Sequence, residues 1–115
     1  MKKLTIIGGG PAALMLAAQL DTKKYQVVLC EKKKTVGRKF LVAGEGGLNL
    51  TYYSSLKELI ANYSPSEFMD PIIRQFTNED LISWIGDHGV PTFIGSSKRV
   101  FPAAGLKPIE VFNKF

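Results

Sequence analysis

Residues 4–31 read LTIIGGGPAALMLAAQLDTKKYQVVLCE, and the fold is decided in this stretch. A short apolar strand, Leu4 to Ile7, runs into Gly8-Gly9-Gly10-Pro11-Ala12-Ala13, which fits G-x-G-x-x-A with Gly8, Gly10 and Ala13 at the three key places. Each place has its own physical task. Gly8 permits the tight turn from strand to helix, Gly10 lacks the Cβ that would hold the backbone away from a pyrophosphate, and Ala13 is small enough for the helix to pack on the sheet. The unpaired N–H groups of the first helical turn converge on the same point, where the helix dipole favours negative charge. Pro11 and Ala12 therefore join Gly8 and Gly10 as candidate pyrophosphate-binding residues. Pro11 suits the first helical position, because its missing N–H has no intrahelical partner there and its φ is already helical.

An almost wholly apolar helix follows, then a second apolar run, Gln26 to Cys30, closed by Glu31, 23 positions after Gly8. A carboxylate at that place accepts hydrogen bonds from ribose hydroxyls. Strand, glycines, helix and acidic terminus agree in order and spacing with a Rossmann-like, dinucleotide-binding βαβ unit of the α/β class. An ordinary strand-turn-helix with packing glycines would leave Glu31 and three successive glycines without a purpose.

Met1-Lys2-Lys3 and the apolar stretch behind them superficially resemble a secretory signal. Gly8-Gly9-Gly10-Pro11 breaks the would-be signal helix, and cleavage would delete the nucleotide motif. No uninterrupted apolar run approaches the roughly 18 residues of a membrane span. The expectation is a cytoplasmic protein with no membrane partner. Cys30 is the only cysteine, so the chain has no internal disulfide and no Cys-rich metal pattern. In a central strand it would be a small buried hydrophobe.

At 115 residues and 45% hydrophobic content the chain can form one globular domain. A doubly wound sheet uses several parallel strands, and only two of that kind are visible. Pro108 to Phe115 reads as a helix whose Ile109, Val111, Phe112 and Phe115 need a surface to cover. The chain thus reads as the amino-terminal portion of a larger protein, an incomplete domain that could self-associate through unfilled apolar faces.

After Glu31 comes KKKTVGRKFLVAGEGGLNLTYY, a long glycine-bearing loop instead of a prompt second crossover. Gly37, Gly44, Gly46 and Gly47 allow close backbone approach, while Arg38, Lys39, Asn49 and Thr51 supply donors for a second stretch of an extended cofactor. Lys32 stands beside Glu31, where an anionic cofactor is expected. NAD on the βαβ unit remains open on these residues, whereas Glu31 repels the 2′-phosphate of NADP.

GGGPAA, then E-K, then GRKFLVAGEGGLNLT, then RVFP resembles the bacterial BaiN-like family of FAD-dependent, NAD(P)H-using oxidoreductases, through most of the chain. The wider family carries a segment like S-G-G-G-R-C-N-x-T-N, aligned here with Ala43-Gly44-Glu45-Gly46-Gly47-Leu48-Asn49-Leu50-Thr51-Tyr52. Gly44, Gly46, Asn49 and Thr51 keep the pattern, and Gly47-Leu48 replaces Arg-Cys, as in a sub-branch reading G-G-L-N-L-T. The resemblance implies FAD as cofactor, with Lys39, Gly46, Asn49 and Thr51 lining its continuation. It also implies NAD(P)H as electron donor, an organic acceptor not identified by the sequence, and a chain several times longer with a split FAD domain. Residues 1–53 would be the first part of that domain and residues 54–115 the start of an inserted or continuing one. Such a piece, inactive by itself, would hold the ADP half of FAD. No catalytic acid or base and no metal site can be named, and a noncatalytic nucleotide- or partner-binding remnant is the rival reading.

Residues 54–88 read as helical. Ser64-Pro65-Ser66-Glu67 and Thr77-Asn78-Glu79-Asp80 have the form of capping boxes. The second opens a helix with Leu81, Ile82, Trp84 and Ile85 on its apolar face, ended by Gly89. Trp84 is expected in the core, and His88 near the negative end of the helix dipole. Val90 to Ile94 and Arg99 to Phe101 read as a hairpin around Gly95-Ser96-Ser97-Lys98. The net charge of +5 could suit a nucleic acid. No RNA-binding signature or helix-turn-helix accompanies it, so small molecules and not nucleic acids are the expected partners.

Overall fold

The structure is a computed structural model that describes residues 1–42, 48–103, 111, 113 and 114. Gly44, Gly46, Gly47 and most of the expected carboxy-terminal helix lie outside the described residues. Strand β1 (Lys2–Ile7), helix α1 (Pro11–Gln19) and strand β2 (Tyr25–Cys30) form the βαβ unit. The two strands pair in parallel from Lys2↔Tyr25 to Ile7↔Cys30. Parallel pairing requires a crossover, and Ala, Leu and Met, the strongest helix formers, fill α1. Pro11 occupies its first position. Past α1, the Asp21 side chain accepts from the Lys23 N–H at 2.9 Å, and the Tyr25 N–H donates to the Asp21 carbonyl at 3.0 Å. This local turn redirects the chain into β2.

Downstream stand α2 (Arg38–Leu41), β3 (Thr51–Tyr52), α3 (Leu56–Ala61), α4 (Ser66–Ile73), α5 (Asn78–Asp87), β4 (Thr92–Ile94) and β5 (Arg99–Pro102). The hairpin β4-β5 forms as expected, and β3 joins it as a third antiparallel strand, in the order β3-β5-β4. Helix α5 opens on the full capping box: the Thr77 hydroxyl accepts from the Asp80 N–H, and the Asp80 carboxylate accepts from the Thr77 N–H. It closes on Gly89, at φ +80°, with the Val90 N–H donating to the Ile85 carbonyl and the Gly89 N–H to the Gly86 carbonyl. These two bonds form a Schellman motif.

The helix starts differ from expectation at α4. Pro65, with ψ 134°, is the cap residue instead of the first helical residue, and no side chain caps the helix. A true side-chain cap lies at Ser55 of α3, which accepts from the Glu58 N–H. Cys30 is exposed and not a buried hydrophobe: among the described residues β2 has only β1 beside it, so it is not a central strand.

Among the described residues, two apolar clusters hold the downstream region. Leu48, Ile85, Val90 and Val111 pack with Phe40, Leu50, Leu81 and Trp84, so Trp84 serves the core as expected. Leu59, Ile60 and Ile73 join α3 to α4. By contrast α1 has no buried residue. Its Leu14, Met15, Ala17 and Ala18 line an apolar groove of about 690 Å³ against Phe76 and Leu81. No helix among the described residues is long and apolar enough to cross a membrane.

Asn78 is the buried polar residue of the described core. Its amide donates to the carbonyls of Tyr52 at 2.9 Å and Ser54 at 3.1 Å, fastening α5 to the end of β3. Replacing Asn78 with Ala strands two acceptors and should cost about 1–3 kcal/mol in urea unfolding. Asn78→Asp, with a carboxylate facing two carbonyls, should cost at least as much. A loss within error of zero for both would detach α5 from β3.

Candidate dinucleotide site

The three glycines after β1 have three different physical reasons. Gly8 sits at φ +97°, which side-chain-bearing residues rarely adopt, and its N–H extends the ladder to the Cys30 carbonyl at 2.7 Å. Gly9 is buried, and a Cβ there would stand 2.9 Å from Val36 Cγ1 and 3.1 Å from Glu31 Oε2. Gly10 caps α1 in an ordinary extended conformation, φ −77° and ψ 177°, and a Cβ on it would meet no atom of a described residue within 4 Å. Neither its backbone conformation nor the packing of the described residues requires glycine at position 10. The space before it is open to a molecule approaching the main chain, and the first-turn amides of Ala12 and Ala13 have no intrahelical acceptors.

Glu31 reaches back across the cleft. Its Oε2 accepts from the Gly9 N–H at 2.7 Å and its Oε1 from the Lys33 N–H at 2.8 Å. These amides, that of Lys33 foremost and then that of Gly9, hold its carboxyl below the ordinary value of 4.5. A carboxylate has about four lone-pair directions, so each oxygen keeps capacity for a further donor such as a ribose hydroxyl. On the other side of the turn the Gly37 N–H donates to the Gly9 carbonyl at 2.6 Å. Gly9 is thus held by both its N–H and its carbonyl.

The cleft, about 350 Å³, is lined by Gly9, Gly10, Glu31, Lys33, Thr35, Arg38, Lys39 and Val42. Of the residues expected from sequence, Gly10, Glu31 and Lys39 come together here. Lys33 lines the cleft, while Lys32 is exposed beside it. Pro11 and Asn49 line the adjoining apolar groove, which shares Lys39 with the cleft. Gly8 and Ala12 sit in the turn and on the first turn of α1. Thr51 lies in β3 opposite Val100 and lines neither space, and Gly46 falls outside the described residues. Sequence reading missed the grip on Gly9. Its signal was the middle glycine, which the fingerprint leaves unspecified, together with the small Val36-Gly37 step. His88 caps α5 with Nδ1 2.8 Å from the Trp84 carbonyl, as its place in the last turn suggested.

Residues 2–112 match the family described as HI0933-like protein Rossmann domain. The chain is 33% identical over 85 residues to the ribosomal RNA dihydrouridine synthase of Haemophilus influenzae, covering 74% of this chain and 21% of that protein. It is 29% identical over 94 residues to the 3-dehydro-bile acid delta(4,6)-reductase of Clostridium scindens, covering 80% of this chain and 23% of that protein. The chain therefore spans less than a quarter of the length of these curated relatives.

Glutamine at position 31 offers one acceptor oxygen to two N–H donors, so Glu31→Gln should lower the melting temperature at neutral pH. Because the folded carboxyl lies below its ordinary value, its stabilisation is full above about pH 4.5 and is lost as the pH falls through the folded value. The melting difference between wild type and variant should therefore shrink in acid; a difference independent of pH would remove the carboxylate from the turn. Gly9→Ala should destabilise the protein where Gly10→Ala does so far less, in parallel thermal melts. Equal losses would contradict the division of roles between the two glycines.

Proposed function

The chain belongs to the HI0933-like Rossmann-domain family, and from that membership we propose that it grips the ADP portion of FAD within a flavoprotein oxidoreductase. The observation that carries the proposal is Gly10, a glycine that neither its own backbone conformation nor the packing of the described residues requires. The residues fit the group. Gly10 lets the main chain approach a pyrophosphate, and the amides of Ala12 and Ala13 donate to it. Lys33, Arg38 and Lys39 place positive charge around the cleft, and Glu31 retains acceptor capacity for ribose. When bound, FAD supplies the redox chemistry, and the protein orients and tunes it.

The finer reading is that the whole protein passes hydride from NAD(P)H to an organic acceptor. The names of the two relatives, a dihydrouridine synthase and a reductase, support reduction as the reaction class. We assign the chain to the sub-branch reading G-G-L-N-L-T on Gly46 to Thr51, with Lys39, Asn49 and Thr51 serving the part of the cofactor beyond the pyrophosphate. Lys39 supports this by lying between the cleft and the apolar groove. We take residues 1–53 as the first part of the cofactor domain and residues 54–115 as the start of the next.

A fluorescence titration with FAD, with NADH and NADPH as competitors, tests the reading. Saturable binding that prefers FAD is expected, with NADPH the weakest competitor because Glu31 repels a 2′-phosphate. Gly10→Val, which puts a branched side chain against the pyrophosphate, should abolish binding while circular dichroism stays close to wild type. Unchanged FAD affinity in a folded Gly10→Val protein would refute the pyrophosphate assignment.

A further inference from the structure

The antiparallel sheet β3-β5-β4 has two chemically different faces. Alternation along β5 places Val100 and Pro102, both buried, on one side and Arg99 and Phe101 on the other. The register carries this second face onto both neighbours: Tyr52 stands opposite Arg99, and Phe93 opposite Phe101. Tyr52, Phe93 and Arg99 are exposed and Phe101 is half-buried. Three aromatic rings and a guanidinium therefore share a solvent-facing surface, where an antiparallel sheet ordinarily shows polar residues.

Two of the rings pack on each other. Phe93 and Phe101 lie 5.7 Å apart between centroids, with planes inclined by 32°. The Phe101 ring lies over Gly95, where a Cβ would stand 2.8 Å from its Cε2, so the turn glycine makes room for the ring. Arg99 and the exposed Lys98 at the hairpin tip form no ion pair with a described residue. None of these residues lines the dinucleotide cleft.

We propose that this face binds single-stranded nucleic acid, its bases stacking on Phe93, Phe101 and Tyr52 and its phosphates meeting Arg99 and Lys98. Aromatic rings flanked by cations that form no ion pair with a described residue fit unstacked bases on an anionic backbone, and the net charge of +5 favours the encounter. A duplex presents no open base faces, and a purely apolar partner has no use for the cations. No linear motif displays the surface, because its residues come from three separated segments.

The test is fluorescence anisotropy of labelled single-stranded RNA and DNA of about twelve nucleotides, with the corresponding duplex alongside and salt varied. Saturable binding to single strands, weaker for the duplex, is expected, and the RNA and DNA arms identify the sugar preferred. Phe93→Ala should weaken binding about tenfold, and Arg99→Gln should flatten the slope of log affinity against log salt by about 0.7. FAD titration and circular dichroism of both variants should match wild type, which separates this site from the cleft. Absence of binding at low salt would overturn the proposal, as would affinity unaffected by Phe93→Ala. Self-association abolished by Phe93→Ala, without oligonucleotide binding, would instead make the face a contact between copies of the chain.

Discussion

The carboxylate of Glu31 closes the glycine turn. It joins the end of β2 to the Gly9 amide across 22 positions of sequence, and the Gly37 amide takes the Gly9 carbonyl from the other side. With Gly9 held at both ends, Gly8 turns through positive φ, and Gly10 stands at the start of α1 with no atom of a described residue in the place a Cβ would take. The same carboxylate that could accept from a ribose therefore also shapes the backbone that would meet the phosphates. Backbone N–H donors, that of Lys33 foremost and then that of Gly9, lower the Glu31 carboxyl below its ordinary value and so favour its acceptor form.

Charge and apolar surface are distributed consistently with this arrangement. Lys33, Arg38 and Lys39 gather around the cleft, at the positive end of α1. Lys39 also borders the groove formed by α1, Phe76 and Leu81. Helix α1 is apolar almost throughout, yet none of its residues is buried by the described residues. The second sheet is fastened through Asn78 to the start of α5 and carries an aromatic and cationic face whose residues do not line the cleft.

The βαβ unit was legible because every local signal agreed: an apolar strand, a glycine fingerprint, proline at the first helical position and an acidic end to β2. The capping box at Thr77 and the Schellman glycine at position 89 were equally plain, since both are short-range hydrogen-bond patterns written in consecutive residues. What escaped was long-range or marginal. Two residues, Thr51 and Tyr52, make β3, too few for any periodicity, and they form a strand only because β5 supplies partners. Pro65 took the cap position where a capping box was expected, and Cys30 proved exposed because β2 has one neighbour. In the site, the fingerprint named Gly8 and Gly10 but was silent on Gly9, whose tightness depends on Val36 and Glu31, both distant in sequence.

The central claim is that the glycine turn and Glu31 form one cofactor-binding unit, and amide chemical shifts followed by NMR during titration with ADP and then FAD test it most directly. The account predicts saturable shifts concentrated at Gly8 to Ala13 and at Glu31 to Lys33, with the aromatic face of the second sheet unmoved. Saturable binding whose shifts leave the turn untouched would contradict it.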